Sequence, residues 1–153
     1  LETLPFVARE RMGLYGVSYG GRTAMMVPPV EPRYRVVVCS GNFNEWLWKT
    51  TSVEEPFSYV FTKEWEIPDW NLGGRFNHAE LAMLIAPRPF LVERGHDDGV
   101  GIDEWVAWEY ARVARHYAKL GIADRTRIAY FNGNHRIHGE EAYAFLRRHL
   151  GRP

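Results

Sequence analysis

The sequence predicts an α/β fold, a parallel sheet covered by helices on both faces. Three observations predict it. Short apolar, β-branched runs alternate with helix-length amphipathic segments, the pattern of repeated strand–helix–strand units. The run Tyr34-Arg35-Val36-Val37-Val38-Cys39-Ser40 is apolar without alternation, as a strand buried on both faces requires. The stretch Gly16-Val17-Ser18-Tyr19-Gly20-Gly21 reads Gly-x-Ser-x-Gly-Gly between a strand-like and a helix-like segment, which sets a serine on a sharp strand-to-helix turn.

In chain order, Leu1 to Pro5 reads as a helix tail or connecting loop, and Arg9 to Val17 as the first strand. Gly20 to Met26 reads as a helix stopped by Pro28-Pro29, since proline lacks the amide proton and restricts the residue before it. The Tyr34–Ser40 strand ends at Gly41, and residues 42–76 form an irregular aromatic insertion holding Trp46, Trp48, Phe57, Tyr59, Phe61, Trp65 and Trp70. Phe76 to Ile85 reads as a short helix closed by Ala86-Pro87-Arg88-Pro89, followed by the strand Phe90–Arg94 and Gly95. The strongest helix runs from Ile102 to Leu120, with Trp105, Val106, Ala107, Tyr110, Val113, Ala114, Tyr117 and Leu120 as one inward stripe at helical spacing. Arg127 to Phe131 is the last strand. Glu140 to Leu150 is the last helix, with Ala142, Phe145, Leu146 and Leu150 inward.

The 153 residues suit one domain, residues 1–153, with one sizeable core. Nineteen basic and nineteen acidic residues cancel, so no large single-sign field is implied and neither nucleic acid nor an anionic membrane is expected as a partner. The single cysteine, Cys39, excludes an internal disulfide but does not fix the compartment. No apolar run approaches the ~20 residues of a membrane span. The chain opens on Leu1 rather than Met, and is expected to be a fragment or processed product.

A serine on such a turn becomes a nucleophile when a base takes its proton and an acid orients the base. Those partners are expected on loops after later strands, at the carboxyl edge of the sheet. The loop after the third strand, Gly95-His96-Asp97-Asp98-Gly99, offers two acids, Asp97 and Asp98. The loop after the last, Asn132-Gly133-Asn134-His135-Arg136-Ile137-His138-Gly139, offers two bases, His135 and His138. His96 reads as a loop-stabilising residue. His135 and His138 with Glu140 and Glu141 do not match a zinc signature, so no metal or other cofactor is expected.

Three segments carry a family resemblance: Arg11 to Gly21, Ala86 to Asp98, and Phe131 to Glu141. On them the chain resembles α/β-hydrolases of the dienelactone hydrolase and acetyl xylan esterase type, from about residue 9 to the end. The resemblance implies Ser18 as nucleophile, Asp98 as acid, His135 as base and the Tyr19 N–H as one oxyanion donor. It implies a full fold of about eight strands in the order 1-2-4-3-5-6-7-8, of which this chain holds strands 5 to 8, the C-terminal half. The second oxyanion donor belongs to the loop after strand 3 of that full fold, which this chain is expected to lack, so weak activity on activated esters is expected. Dienelactone hydrolases usually carry cysteine at the elbow, and the serine here argues against that activity; a peptidase remains open.

The resemblance implies a small ester or an acetylated carbohydrate as substrate. Trp46, Trp48 and Trp70 are candidates to stack on sugar, against the alternative that they pack as a roof over the sheet. A polysaccharide substrate would imply an extracellular or periplasmic location. The first strand, central in the full fold, becomes an exposed edge, and apolar edges invite pairing with another chain, so homo-oligomerisation is expected. The competing expectation is a non-catalytic oligomeric scaffold.

Overall fold

The structure, a computed structural model, describes residues 3–54 and 57–151. The start of the leading segment (1–2), Glu55 and Pro56 of the insertion, and the end of the chain (152–153) lie outside the described residues. Four strands, β1 (Gly13–Val17), β2 (Val36–Ser40), β3 (Phe90–Gly95) and β4 (Thr126–Phe131), form one sheet in the order β1-β2-β3-β4. Every pairing is parallel. All four carboxyl ends therefore lie along one edge of the sheet.

Strand β2 explains why the sheet is covered twice. Val37 and Cys39 join a core with Ala24, Met25, Phe90, Val92, Val106, Val113 and Tyr117, beneath helices α1 (Tyr19–Met26), α3 (His78–Met83) and α4 (Asp103–Lys119). Val36 and Val38 join the opposite core with Leu91, Ala129, Ala142 and Phe145, beneath α5 (Glu140–Leu150). An unbroken β-branched run thus feeds both faces through the two-residue period of a strand.

The departures have local causes. Residues 9–11 form a 3-10 turn rather than strand, because the ladder begins at Gly13 opposite Val36 and, among the described residues, no strand pairs with the earlier ones. The insertion contains a helix, α2 (Trp46–Thr51), capped by the Glu45 carboxylate, which accepts the Trp48 N–H at 2.5 Å. The helix expected from Phe76 starts at His78, where Asn77 and Glu80 form a reciprocal capping box, the Asn-x-x-Glu pattern that ties off a helix start. On α4 the inward stripe is partly wrong. Ala107 and Leu120 are exposed, whereas Glu109 is fully buried. Glu109 is stabilised there by the Ala79 N–H at 2.6 Å and Arg112 at 2.8 Å.

His78 is buried beneath the insertion, stacked on Trp46 at 4.6 Å, with its Nδ1 accepting the Asn44 N–H at 3.0 Å. Burial, reinforced by Arg22, pushes its pKa down to about 3 from 6.5. The folded state therefore binds fewer protons than the unfolded state between these values, so stability is full above pH 6.5 and is lost as pH falls toward 3. Melting temperatures over this window should fall more steeply in the wild type than in His78→Gln. Parallel curves would show that His78 does not carry the acid sensitivity.

Candidate active site

The turn after β1 is built by close backbone contact. A Cβ on Gly16 would lie 2.1 Å from the Gly20 carbonyl oxygen, so only glycine admits the helix this close to its own strand. Ser18 then takes a left-handed conformation, φ 58° and ψ −119°, an arrangement costly for a side-chain residue and typical of functional turns. Its N–H donates to the Ser40 carbonyl at 3.1 Å, and its own carbonyl accepts the Arg22 N–H at 2.9 Å. The Ser18 side chain makes no capping bond to α1, so its hydroxyl is not committed to the helix. The Tyr19 N–H lies in the first turn of α1, where amides lack an intrahelical acceptor.

Asp98 is buried at the end of a tight turn closed by its N–H to the Gly95 carbonyl at 3.1 Å. Its Oδ1 accepts the Val100 N–H at 3.0 Å, and His135 Nδ1 lies 3.0 Å from both carboxylate oxygens. Arg94, also buried, places Nη1 3.6 Å from Asp98 Oδ2 and is itself held by Asp103 and the Gly101 carbonyl, each at 2.8 Å. A carboxylate on Nδ1 fixes the proton there, which leaves Nε2 as the lone-pair nitrogen of the neutral ring. The His135 side chain is 31% exposed, so the ring reaches solvent while its partner does not.

The other residues singled out from the sequence fall elsewhere. Asp97 is exposed, and its backbone N–H donates to the Gly133 carbonyl at 3.0 Å, bracing the two loops. His138 stacks on Phe131 at 4.6 Å and bonds Glu140 at 3.3 Å. His96 stacks on Tyr130 at 5.2 Å and pairs with Asp103. Trp46 is 3% exposed, stacked on His78 and edge-on to Tyr59. One ring face is covered by His78 and Tyr59 meets the ring edge-on, so this side chain packs within the insertion, the alternative to a sugar platform. Trp48 and Trp70 are 51% and 93% exposed.

Sequence reasoning missed Gly41, Arg94, Glu93, Lys49 and the phenol of Tyr19. Gly41, at φ 58°, faces the Asp98–His135 pair: a Cβ there would lie 2.8 Å from His135 Cε1 and 3.1 Å from Asp98 Oδ2. Arg94 and Glu93 are charged residues inside a strand buried along its whole length, which was the signal that they mattered. Lys49 is buried in the insertion, bonded to the Phe57 carbonyl and 4.4 Å over the Tyr59 ring. Burial pushes its pKa down to about 8. The Tyr19 phenol reaches the insertion at Glu66, 2.6 Å away, and that bond helps push its pKa up to about 12.

Four parallel strands flanked by helices, with an elbow serine where the first strand ends, define an α/β-hydrolase fold, here the part equivalent to strands 5 to 8. Residues 1–151 match the profile of the prolyl oligopeptidase family, Peptidase S9, and the chain belongs to that family. A Bacillus subtilis (strain 168) protein named as a hydrolase, YtaP, is 30% identical over 149 residues, spanning 94% of this chain and 48% of that protein. The 4-O-methyl-glucuronoyl methylesterase 1 of Sodiomyces alcalophilus is 26% identical over 145 residues, spanning 81% of this chain and 28% of that one. Among solved structures, a carbohydrate esterase family 15 glucuronoyl esterase from Caldicellulosiruptor kristjansonii superposes with a TM-score of 0.71 at 23% identity, over 94% of this chain and 43% of that one. The chain thus spans half or less of the length of each.

Gly41→Ala should displace His135 from Asp98, because the new methyl would occupy space now held by the imidazole edge. Imidazole 1H–15N spectra of the variant should show the His135 ring signals moved from their wild-type positions. Unchanged spectra would show that the loop relaxes around the methyl.

Proposed function

We propose that the chain carries a serine carboxylic-ester hydrolase site that acts on a carbohydrate ester through an acyl-enzyme. The observation that supports it best is the buried Asp98 carboxylate against His135 Nδ1, on loops at the same sheet edge as the elbow serine. In this reading His135 Nε2 takes the Ser18 proton as Oγ attacks the ester carbon, and the Tyr19 N–H helps hold the developing oxyanion. His135 then returns the proton to the departing alcohol. Water, deprotonated by the same nitrogen, hydrolyses the acyl-serine and regenerates Ser18. Asp98 keeps the proton on Nδ1 and stabilises the imidazolium.

The carbohydrate reading is supported by the sugar-ester names of two relatives and by the exposed Trp48, Trp65 and Trp70 of the insertion. The acetyl xylan ester implied by the sequence resemblance and a uronic acid methyl ester are its two substrate arms. On p-nitrophenyl acetate, Ser18→Ala should abolish turnover above background, and Asp98→Asn should lower kcat by about 10³–10⁴-fold. His135→Ala should match Ser18→Ala, whereas Asp97→Asn and His138→Ala should retain most of the rate. Equal rates for wild type and Ser18→Ala would overturn the reading. Turnover of acetylated xylan or of a methyl glucuronate, against a plain short-chain ester, decides the substrate.

We further propose that β1 mediates self-association. It pairs with β2 alone among the described strands, and a free strand edge is a template for pairing. Size-exclusion chromatography with light scattering should give a dimer or larger species. Monomer at every concentration would exclude this.

A further inference from the structure

Glu93 lies within β3, a strand buried at every position. No lysine, arginine or histidine pairs with its side chain among the described residues. A carboxylate taken from water without a counter-ion costs several kcal/mol, so its neighbours must make up for lost hydration. Four donors do so. The Tyr15 hydroxyl donates to Oε2 at 2.7 Å, the Ser40 hydroxyl to Oε2 at 2.8 Å, the His138 N–H to Oε2 at 3.2 Å and the Gly139 N–H to Oε1 at 2.8 Å. Burial and the carboxylate together push the Tyr15 phenol far up, so it stays a donor.

The origin of the donors matters more than their number. Tyr15 belongs to β1, the strand that ends at Ser18. Ser40 ends β2, and its carbonyl holds the Ser18 N–H at 3.1 Å. His138 and Gly139 close the loop that carries His135 and begin α5. One carboxylate therefore joins the support of the elbow serine to the support of His135, and the loop's fixed point lies three residues from the imidazole.

We propose that Glu93 is a positioning residue for the base, holding the 135–139 loop in register with the elbow through the His138 and Gly139 amides. The proposal rests on the reading of Ser18 and His135 as nucleophile and base. Glu93 touches neither substrate nor the reacting atoms. Without it the loop keeps the Phe131–His138 stack but loses both amide anchors, and His135 is no longer held where Ser18 needs it.

The test compares wild type, Glu93→Ala, Glu93→Gln and Glu109→Gln by kcat and KM on p-nitrophenyl acetate, thermal melting, and imidazole 1H–15N spectra. Glu109 is the control, a buried carboxylate under α4 that bonds no part of the His135 loop. Glu93→Ala should lower kcat about 10²-fold with KM within about twofold. Glu93→Gln should lose about tenfold, because its amide serves Tyr15, Ser40 and Gly139 but sets an N–H against the His138 N–H. Glu109→Gln should lower the melting temperature without lowering kcat. If kcat falls in step with melting temperature across all variants, Glu109→Gln included, Glu93 is only a stabiliser and the proposal fails. If Glu93→Ala does not fold, Glu93→Gln carries the comparison. If Ser18→Ala shows that turnover does not depend on the elbow, the esterase reading fails separately. The spectra then decide alone: the His135 ring signals shift in Glu93→Gln and not in Glu109→Gln, or the positioning role is overturned.

Discussion

The closeness of backbone packing at the carboxyl end of β2 governs the rest of this structure. The Ser40 carbonyl receives the Ser18 amide, and a Cβ on Gly21 would lie 2.5 Å from that same oxygen. One residue later, Gly41 donates to the Glu93 carbonyl at 3.3 Å and faces the His135 ring. The serine turn, the acid loop and the histidine loop therefore converge on Ser40 and Gly41, and Gly41 has no room for a side chain. Parallel strands bring their ends to one edge, but this contact, rather than the sheet alone, sets the distances between the groups on that edge.

The same edge holds an unusual share of buried charge for a strand that otherwise builds core. Arg94 and Asp98 are buried together, with Asp103 completing the guanidinium's contacts. Glu93, their neighbour in β3, points into a separate set of neutral donors. Buried ions of this kind seldom add net stability compared with apolar replacements, yet removing one partner leaves a charge uncompensated at about 3–5 kcal/mol. Their effect is therefore geometric. Each fixes a loop that would otherwise be free at the end of its strand, and Asp98 meets His135 from a turn held on both sides.

Much of the fold was legible because its signals are repeated. The run Val36–Cys39 is apolar at every position, and the two-sided sheet follows from it. The placement of Ser18, Asp98 and His135 just past β1, β3 and β4 was equally legible, since each sits just past an apolar run. The choice between Asp97 and Asp98 was not. Adjacent residues in one turn differ only in which way the backbone points them, and one turn bond, Asp98 N–H to Gly95, settles which is buried. The six-residue α2 is too short for periodicity to reveal and is capped by an uncommon residue, Glu45. On α4 the apolar count hid Glu109, because its burial depends on Ala79 and Arg112, partners that periodicity does not see.

The insertion is tied to the elbow rather than merely laid beside it. Tyr19 and Arg22 are three residues apart on α1, one helical turn, and so share a face. Tyr19 bonds Glu66, and Arg22 holds both oxygens of Asp69 at 2.6 and 2.7 Å. The helix whose first turn presents Ser18 is thus also the anchor for residues 66–69. Deeper in the insertion, Trp46, His78 and Tyr59 pack as a small core, with Lys49 closing it over the Tyr59 ring. A substitution in that small core would move the roof and its anchor on α1 together, so the aromatic content of the insertion acts on the site through Tyr19 and Arg22 even where its rings never meet a substrate. This division explains why tryptophans of one segment differ so widely in exposure: Trp46 builds the support, and Trp48 and Trp70 are left free on its surface.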